Sequence, residues 1–279
     1  MPDLTPESPS ALSPLVRRVV ADNPGLMTGP GTNTYLVGID EVAVVDPGPD
    51  LAKHVDAIVG AAMRERVRWI LLTHTHPDHW PAAAALKERT GARIAGRAPF
   101  PKADEVTIEL DIELTDGDSI DGTEFRLDVL HTPGHAPNHL CFLLDEERVL
   151  FTGDHVLNGT TTVVNPTRGG DMQQYLASLE RLRKIKRVYR ICPGHGDVME
   201  EPARVLDEYV AHRKLRERQI LKVLKEKPAT IPKIVSTLYT ETPEGLIEMA
   251  RRQVHAHLLK LKAEGKVKGS GARTTWTLA

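Results

Sequence analysis

The chain has 279 residues, with 36 Lys and Arg against 38 Asp and Glu, 41% hydrophobic and only 4% aromatic. That balance excludes a disordered chain, and the length suits one large domain plus a smaller one at the usual size of about 100–200 residues each. No stretch approaches the roughly 20 apolar residues of a spanning helix, so a helical membrane protein is excluded as well.

The first ten residues carry three prolines and no basic start or apolar block. They do not form a secretory signal, and residues 1–14 are expected to be a disordered leader. Strands are predicted over 15–20, 34–38 and 41–46, the last two joined as a hairpin through Ile39 and Asp40. The turn at Asp46, Pro47 and Gly48 opens a helix predicted over 51–66, followed by a strand over 67–73. A helix over 80–90 stops at Gly91, a short strand follows at 92–95, and 105–130 is mostly strand. In that last segment Asp116 to Asp118 and Asp121–Gly122 are expected to be hairpin turns. Strands over 139–144 and 148–152, an irregular stretch over 157–170, a helix over 171–184 and a strand over 187–192 complete the body.

The chemistry gathers at the ends of these strands. His74, His76, Asp78 and His79 fall within six positions directly after the apolar run 67–72. Imidazole nitrogens mixed with a carboxylate suit zinc or a similar first-row divalent ion. Asp46, His135, Asp154 and His195 also follow predicted strands, most of them beside a Gly or Pro that turns the chain. Strand ends that face one way would collect all of them on one edge of a sandwich.

From about residue 202 the texture changes. Helices are predicted over 205–225, 231–237 and 243–263, followed by a Gly/Ser-tipped hairpin over 265–278, the outline of a winged helix. From residue 206 onward there are 15 Lys and Arg against 8 Asp and Glu, leaving 21 against 30 before it. A basic module on an acidic body invites a polyanionic partner, although solvated helix faces look the same. Cys141 and Cys192 both lie in apolar runs and fit reduced core thiols in the cytoplasm.

With these motifs in sequence order, residues 15–200 resemble the metallo-β-lactamase superfamily. The matching parts are His74-x-His76-x-Asp78-His79, His135 in Thr-Pro-Gly-His, Asp154 in Thr-Gly-Asp and His195 in Pro-Gly-His-Gly. The resemblance implies an α/β fold, an αββα sandwich over 15–201, with the winged-helix module over 202–279. It also implies a dinuclear zinc site, with Mn2+ or Fe2+ as alternatives. His74, His76 and His135 would hold one ion and Asp78, His79 and His195 the other, with Asp154 bridging. Such a pair generates hydroxide at neutral pH and stabilises the charge that develops on the attacked group. Asp78 would additionally orient that nucleophile or receive its proton.

The Gly-rich turn at 29–35 and the terminal winged helix place the resemblance in the β-lactamase-like protein 2 branch. That branch includes an endoribonuclease acting on single-stranded RNA, with thioesterases among related sequences. One departure is Trp80-Pro81-Ala82-Ala83, where Gly-Gly often follows the ligand cluster. Asn33, Trp80, Asn158 and His212 are the candidate substrate-binding residues, set against plain roles in turns or on a helix surface. His131, His139 and His155 are expected to support the site without ligating.

The expected activity is therefore a zinc-dependent hydrolase, with single-stranded RNA slightly favoured as substrate and a small thioester, ester or lactone as the alternative. Dedicated RNA-processing relatives often insert a domain between the third and fourth motifs, whereas only 40 residues separate Asp154 from His195. Two further readings are a nucleic-acid-binding protein with a vestigial site and an iron oxidoreductase; the complete ligand set opposes the first and His76 the second. The terminal hairpin could bind nucleic acid, close over the site or form a homodimer.

Overall fold

A computed structural model describes residues 4–62, 64–98 and 108–279. One sheet runs, in spatial order, through β1 (Ser10–Ala11), β2 (Val16–Val20), β3 (Asn33–Val37), β4 (Glu41–Val45), β5 (Arg66–Leu71), β6 (Arg93–Gly96) and β7 (Ile112–Glu113). Helices α1 (Ala52–Ala61) and α2 (Ala83–Thr90) cover its outer face. The second sheet contains β8 (Ser119–Asp121), β9 (Arg126–His131), β10 (Leu140–Leu144), β11 (Val149–Gly153) and β12 (Arg190–Pro193), with α3 (Met172–Arg183) outside it.

The strands are apolar at nearly every position because both faces are buried. Ala43 and Val45 point between the sheets, with Leu140, Phe142 and Phe151 opposite them. Val42 and Val44 point the other way, onto α1 and α2, while Cys141 and Leu143 point onto α3. This is the expected αββα sandwich. Both cysteines are free and buried, as their apolar surroundings foretold.

The leader is a correction. Residues 5–14 are ordered: Ser10 and Ala11 pair with Arg18 and Arg17, and Glu7 N donates to Val20 O at 2.8 Å. Proline-rich composition concealed an edge strand, because the sheet supplies hydrogen-bond partners that composition cannot show. The segment 116–118 is a second correction. It is not a hairpin turn; it carries the chain from β7 in one sheet to β8 in the other. The turn at 121–122 does join a hairpin, β8 to β9. The start of the strand stretch expected from residue 105 lies outside the described residues.

In the C-terminal part, α4 (Pro202–Glu226), β13 (Ala229–Thr230), α5 (Ile231–Leu238), α6 (Ile247–Ala263), β14 (Val267–Lys268) and β15 (Thr275–Leu278) form the winged helix. Trp276, fully buried, packs with Ile234, Val254 and Leu258 in its core. Helix α4 belongs to two cores at once. Val205, Leu206 and Val210 near its start join the cluster under α3, whereas Ile220 and Leu224 join the winged-helix cluster. Among the described residues no helix is long and apolar enough to cross a membrane.

Candidate metal centre

Strand direction assembles the site. The segments leaving β4, β5, β9, β11 and β12 carry Asp46, His74–His79, His135, Asp154 and His195, and they meet at one edge of the sandwich. Two donor groups result: His74, His76, His135 and Asp154 in one, and Asp78, His79 and His195 in the other, with donor atoms in each lying within 4.8 Å of one another. Asp154 faces both. Its Oδ1 lies 3.3 Å from His195 Nε2 and 3.4 Å from His79 Nε2, and its Oδ2 lies 3.7 Å from His135 Nε2.

This geometry fits a metal pair on the protein's own terms. His76 Nδ1 converges with His74 Nε2 at 2.9 Å and His135 Nε2 at 2.8 Å. His79 Nε2, His195 Nε2 and Asp154 Oδ1 are buried and have no hydrogen-bond partner. Buried polar atoms left unpaired cost roughly 1–3 kcal/mol each unless something binds them, and lone pairs aimed at common points are what cations need.

Glycines make the close approach workable. A Cβ on Gly194 would stand 2.8 Å from both Asp154 Oδ1 and His79 Cε1. On Gly153 it would meet the Thr73 hydroxyl at 2.5 Å.

Electrostatics divide the imidazoles. Burial, reinforced by neighbouring histidines, holds His74 well below the ordinary range and brings His76 to about 3. Burial likewise lowers His135, despite Asp154. These three are neutral and ready to donate lone pairs. Burial also opposes charge on His79 and His195, yet nearby carboxylates outweigh it and raise both. Asp78 resists burial through His79 and His195 and falls to about 2.

Four of the five rings are aimed by their second nitrogen. His135 Nδ1 lies 2.7 Å from Val163 O, His195 Nδ1 lies 3.2 Å from Gly31 O, and His74 Nδ1 lies 3.0 Å from Thr73 Oγ1. Asp46, 2% exposed, accepts from His79 Nδ1 at 2.8 Å and from the Thr73 amide and hydroxyl at 2.8 and 2.7 Å. Its role was missed from sequence, although its place at a strand end was visible. Its positive φ of 50° is a second sign, since Asp is one of few residues to tolerate that region.

The structure divides the substrate-binding candidates. His212 lines a cavity of about 280 Å3 that also reaches His135 and Asp154. Asn33 is fully buried and donates its amide to Pro193 O at 2.9 Å and Gly196 O at 2.7 Å, bracing the His195 loop. Trp80 packs against the cluster beneath α1 and α2 and lines neither of the cavities that reach the metal residues. Asn158 is exposed and donates to Asp197 O at 3.0 Å, tying its loop to the His195 turn. As expected, His131, His139 and His155 lie outside both donor groups.

Comparison with known proteins identifies the family. Residues 27–195 match the family described as the metallo-beta-lactamase superfamily. The chain belongs to the metallo-β-lactamase superfamily. Residues 230–276 match the beta-lactamase associated winged helix domain that some superfamily members carry. A Beta-lactamase-like protein 2 homolog of Caenorhabditis elegans is 34% identical over 280 residues, covering 96% of this chain and 91% of that protein. An atrochrysone carboxyl ACP thioesterase of Aspergillus chevalieri is 32% identical over 273 residues, covering 92% of this chain and 83% of that protein. A crystal structure of a metallo-beta-lactamase family protein from Thermus thermophilus superimposes with a TM-score of 0.79 at 26% identity, over 96% of this chain and 100% of that one. Superfamily members are generally metal-dependent hydrolases, and this chain is read as one.

Proposed function

We propose that this hydrolase cleaves a thioester or ester carrying an apolar acyl group, with two zinc ions held by the seven residues above. The cavity reaching His135 and Asp154 carries the reading. Leu26, Met27, Leu157, Val163, Leu246 and Met249 give it apolar walls, and its 280 Å3 falls near the small end of ligand pockets, roughly 300–1,000 Å3. That space suits an acyl group.

Bound divalent ions supply a water-derived nucleophile at neutral pH and a positive field for the developing oxyanion. The chain's own residues do the rest. Asp78, partly exposed and held ionised, orients the attacking water, and its low pKa makes it a poor place to leave a proton. A second cavity reaches His76, Asp78 and Asp154 and has Arg168 on its wall, where a leaving group with anionic substituents would be steadied.

The thioesterase name borne by the Aspergillus relative supports this substrate class. The basic tail is weaker support for RNA than its charge suggested. Lys260 and Lys266 pair with Glu264, and Arg251 and Arg252 with Glu248. Helix α6, which would read a DNA groove in a winged helix, instead turns Met249 and Gln253 toward the cavity and buries Ala256 with the cluster under α3. Two buried free thiols fit a reducing compartment such as the cytoplasm.

The test is a substrate panel: acyl thioesters of coenzyme A and N-acetylcysteamine from acetyl to decanoyl, aliphatic lactones, and a single-stranded RNA oligonucleotide. Thioester turnover that rises with chain length and disappears with a chelator is expected. RNA cleavage without thioester or ester turnover would overturn the reading.

A further inference from the structure

The loop that aims His135 is gripped from the C-terminal module. Gln253 on α6 uses both ends of its amide: Nε2 donates to Thr162 O at 2.6 Å, and Oε1 accepts from Val164 N at 3.3 Å. Arg213 on α4 adds a second donor to Thr162 O, also at 2.6 Å, with its guanidinium 5.1 Å from the centre of the Tyr175 ring. An extended peptide presents residues i and i+2 to one side and residue i+1 to the other. Held by its neighbours, Val163 therefore offers its carbonyl on the opposite side, to His135 Nδ1 at 2.7 Å.

Thr162 and Val164 are fully buried, Arg213 is 2% and Gln253 7% exposed, and Val163 between them is half-buried. Water cannot easily substitute for a lost bond there, and one side chain is matched to two peptide groups. The far nitrogen of His135 lies among the donor atoms of His76 and Asp154. A rotation of the Val163 peptide would thus be felt as a misdirected lone pair in the metal site.

We propose that Gln253 is a positioning residue for the metal centre, fixing the tautomer and aim of His135 through the 162–164 backbone, so that the winged helix is a structural part of the active site. This rests on His135 being a metal ligand. The amide is specific to the task. A Gln253→Met side chain keeps the length and loses both bonds, whereas Gln253→Glu keeps an acceptor for Val164 N and loses the donor to Thr162 O.

The experiment uses the full-length protein, stripped and reloaded with Zn2+ or Co2+. Affinity for each ion is measured by chelator competition, the Co2+ absorption spectrum reports ligand geometry, and thermal unfolding of the metal-free protein reports stability. For Gln253→Met the expected result is about a 10–100-fold loss of affinity at one of two sites, with an altered Co2+ spectrum. Gln253→Glu should fall between Met and the unmodified protein. Ala256→Gly, which loosens the same helix contact without touching 162–164, should lower thermal stability and leave the spectrum and affinities alone.

Unchanged affinities and spectrum in both Gln253 variants, with only stability lowered, would reduce Gln253 to a structural contact and overturn the proposal. Should Gln253→Met fail to fold, the Glu variant decides the question by the same readings. If the unmodified protein bound no metal, the underlying hydrolase reading would fail instead, so the two failures are distinguishable.

Discussion

His79 Nδ1 lies 2.8 Å from Asp46 Oδ2, and the pair joins two strand ends separated by 33 residues of chain. The carboxylate fixes which nitrogen of His79 carries the proton and leaves Nε2 free to face Asp78 and Asp154. Replacing Asp46 with Ala removes that control and strands the Thr73 amide and hydroxyl as well. Expected outcomes are about a 10–100-fold loss of affinity for the ion held with His79 and His195, and a fall in activity of the same order. Metal content after dialysis against a weak chelator checks this. Asp46→Asn, which tolerates the same positive φ, should damage the metal site with a smaller loss of stability.

Asp154 faces histidines of both donor groups, which predicts how metal stoichiometry responds to mutation. His76→Ala and His195→Ala each remove one ligand from one group and should each bring the protein from two ions to about one. Asp154→Ala should lower affinity at both sites, because its two oxygens face different histidines. Elemental analysis of the three purified variants distinguishes these patterns; an Asp154 variant that still holds two ions would show that it does not bridge.

Stability should fall as pH drops below about 6.5, the unfolded pKa of histidine. Burial, with help from His135 and Arg213, brings His155 to about 3, and neither ring nitrogen has a hydrogen-bond partner. Its folded pKa is thus below its unfolded value. Above pH 6.5 both states leave it neutral; between there and about 3 the unfolded chain gains a proton that the folded one refuses, and unfolding is favoured. His155→Phe keeps a ring beside Tyr175, 4.5 Å away centre to centre, and removes the titration. Urea midpoints of the metal-free proteins at about pH 7 and about pH 5.5 should differ less in this variant than in its parent.

Much of the site was legible because its ligands sit where buried strands end, and apolar runs broken by Gly or Pro mark those ends in the sequence. His74 to His79, His135, Asp154 and His195 all follow that rule. Asn33, Trp80 and Asn158 show its limit: nearness along the chain to a ligand says nothing about which way a side chain points. Asn33 turned inward to brace the His195 loop, and Trp80 packed into the apolar cluster with α1 and α2. Gln253 was invisible for a different reason. Its partners lie about 90 residues earlier, on a loop with no periodicity, and only packing of α6 against the sandwich brings them together.

That same packing makes acyl-chain selectivity open to control from the C-terminal module. Met249 on α6 lines both cavities that reach His135 and Asp154. A larger side chain there shortens the space for an acyl group without touching a ligand, so Met249→Trp should leave acetyl thioester turnover within about two-fold. Each methylene excluded from an apolar pocket costs about 1–3 kcal/mol of discrimination, or roughly 10–200-fold in kcat/KM, so decanoyl turnover should fall by at least about ten-fold. Met249→Ala should move selectivity the other way, toward longer chains, because the vacated volume is continuous with the cavity. Measuring kcat/KM along the acyl series for both variants, with metal content held constant, checks the direction of each shift. Equal losses for short and long chains would remove the acyl group from this cavity and place it elsewhere on the surface.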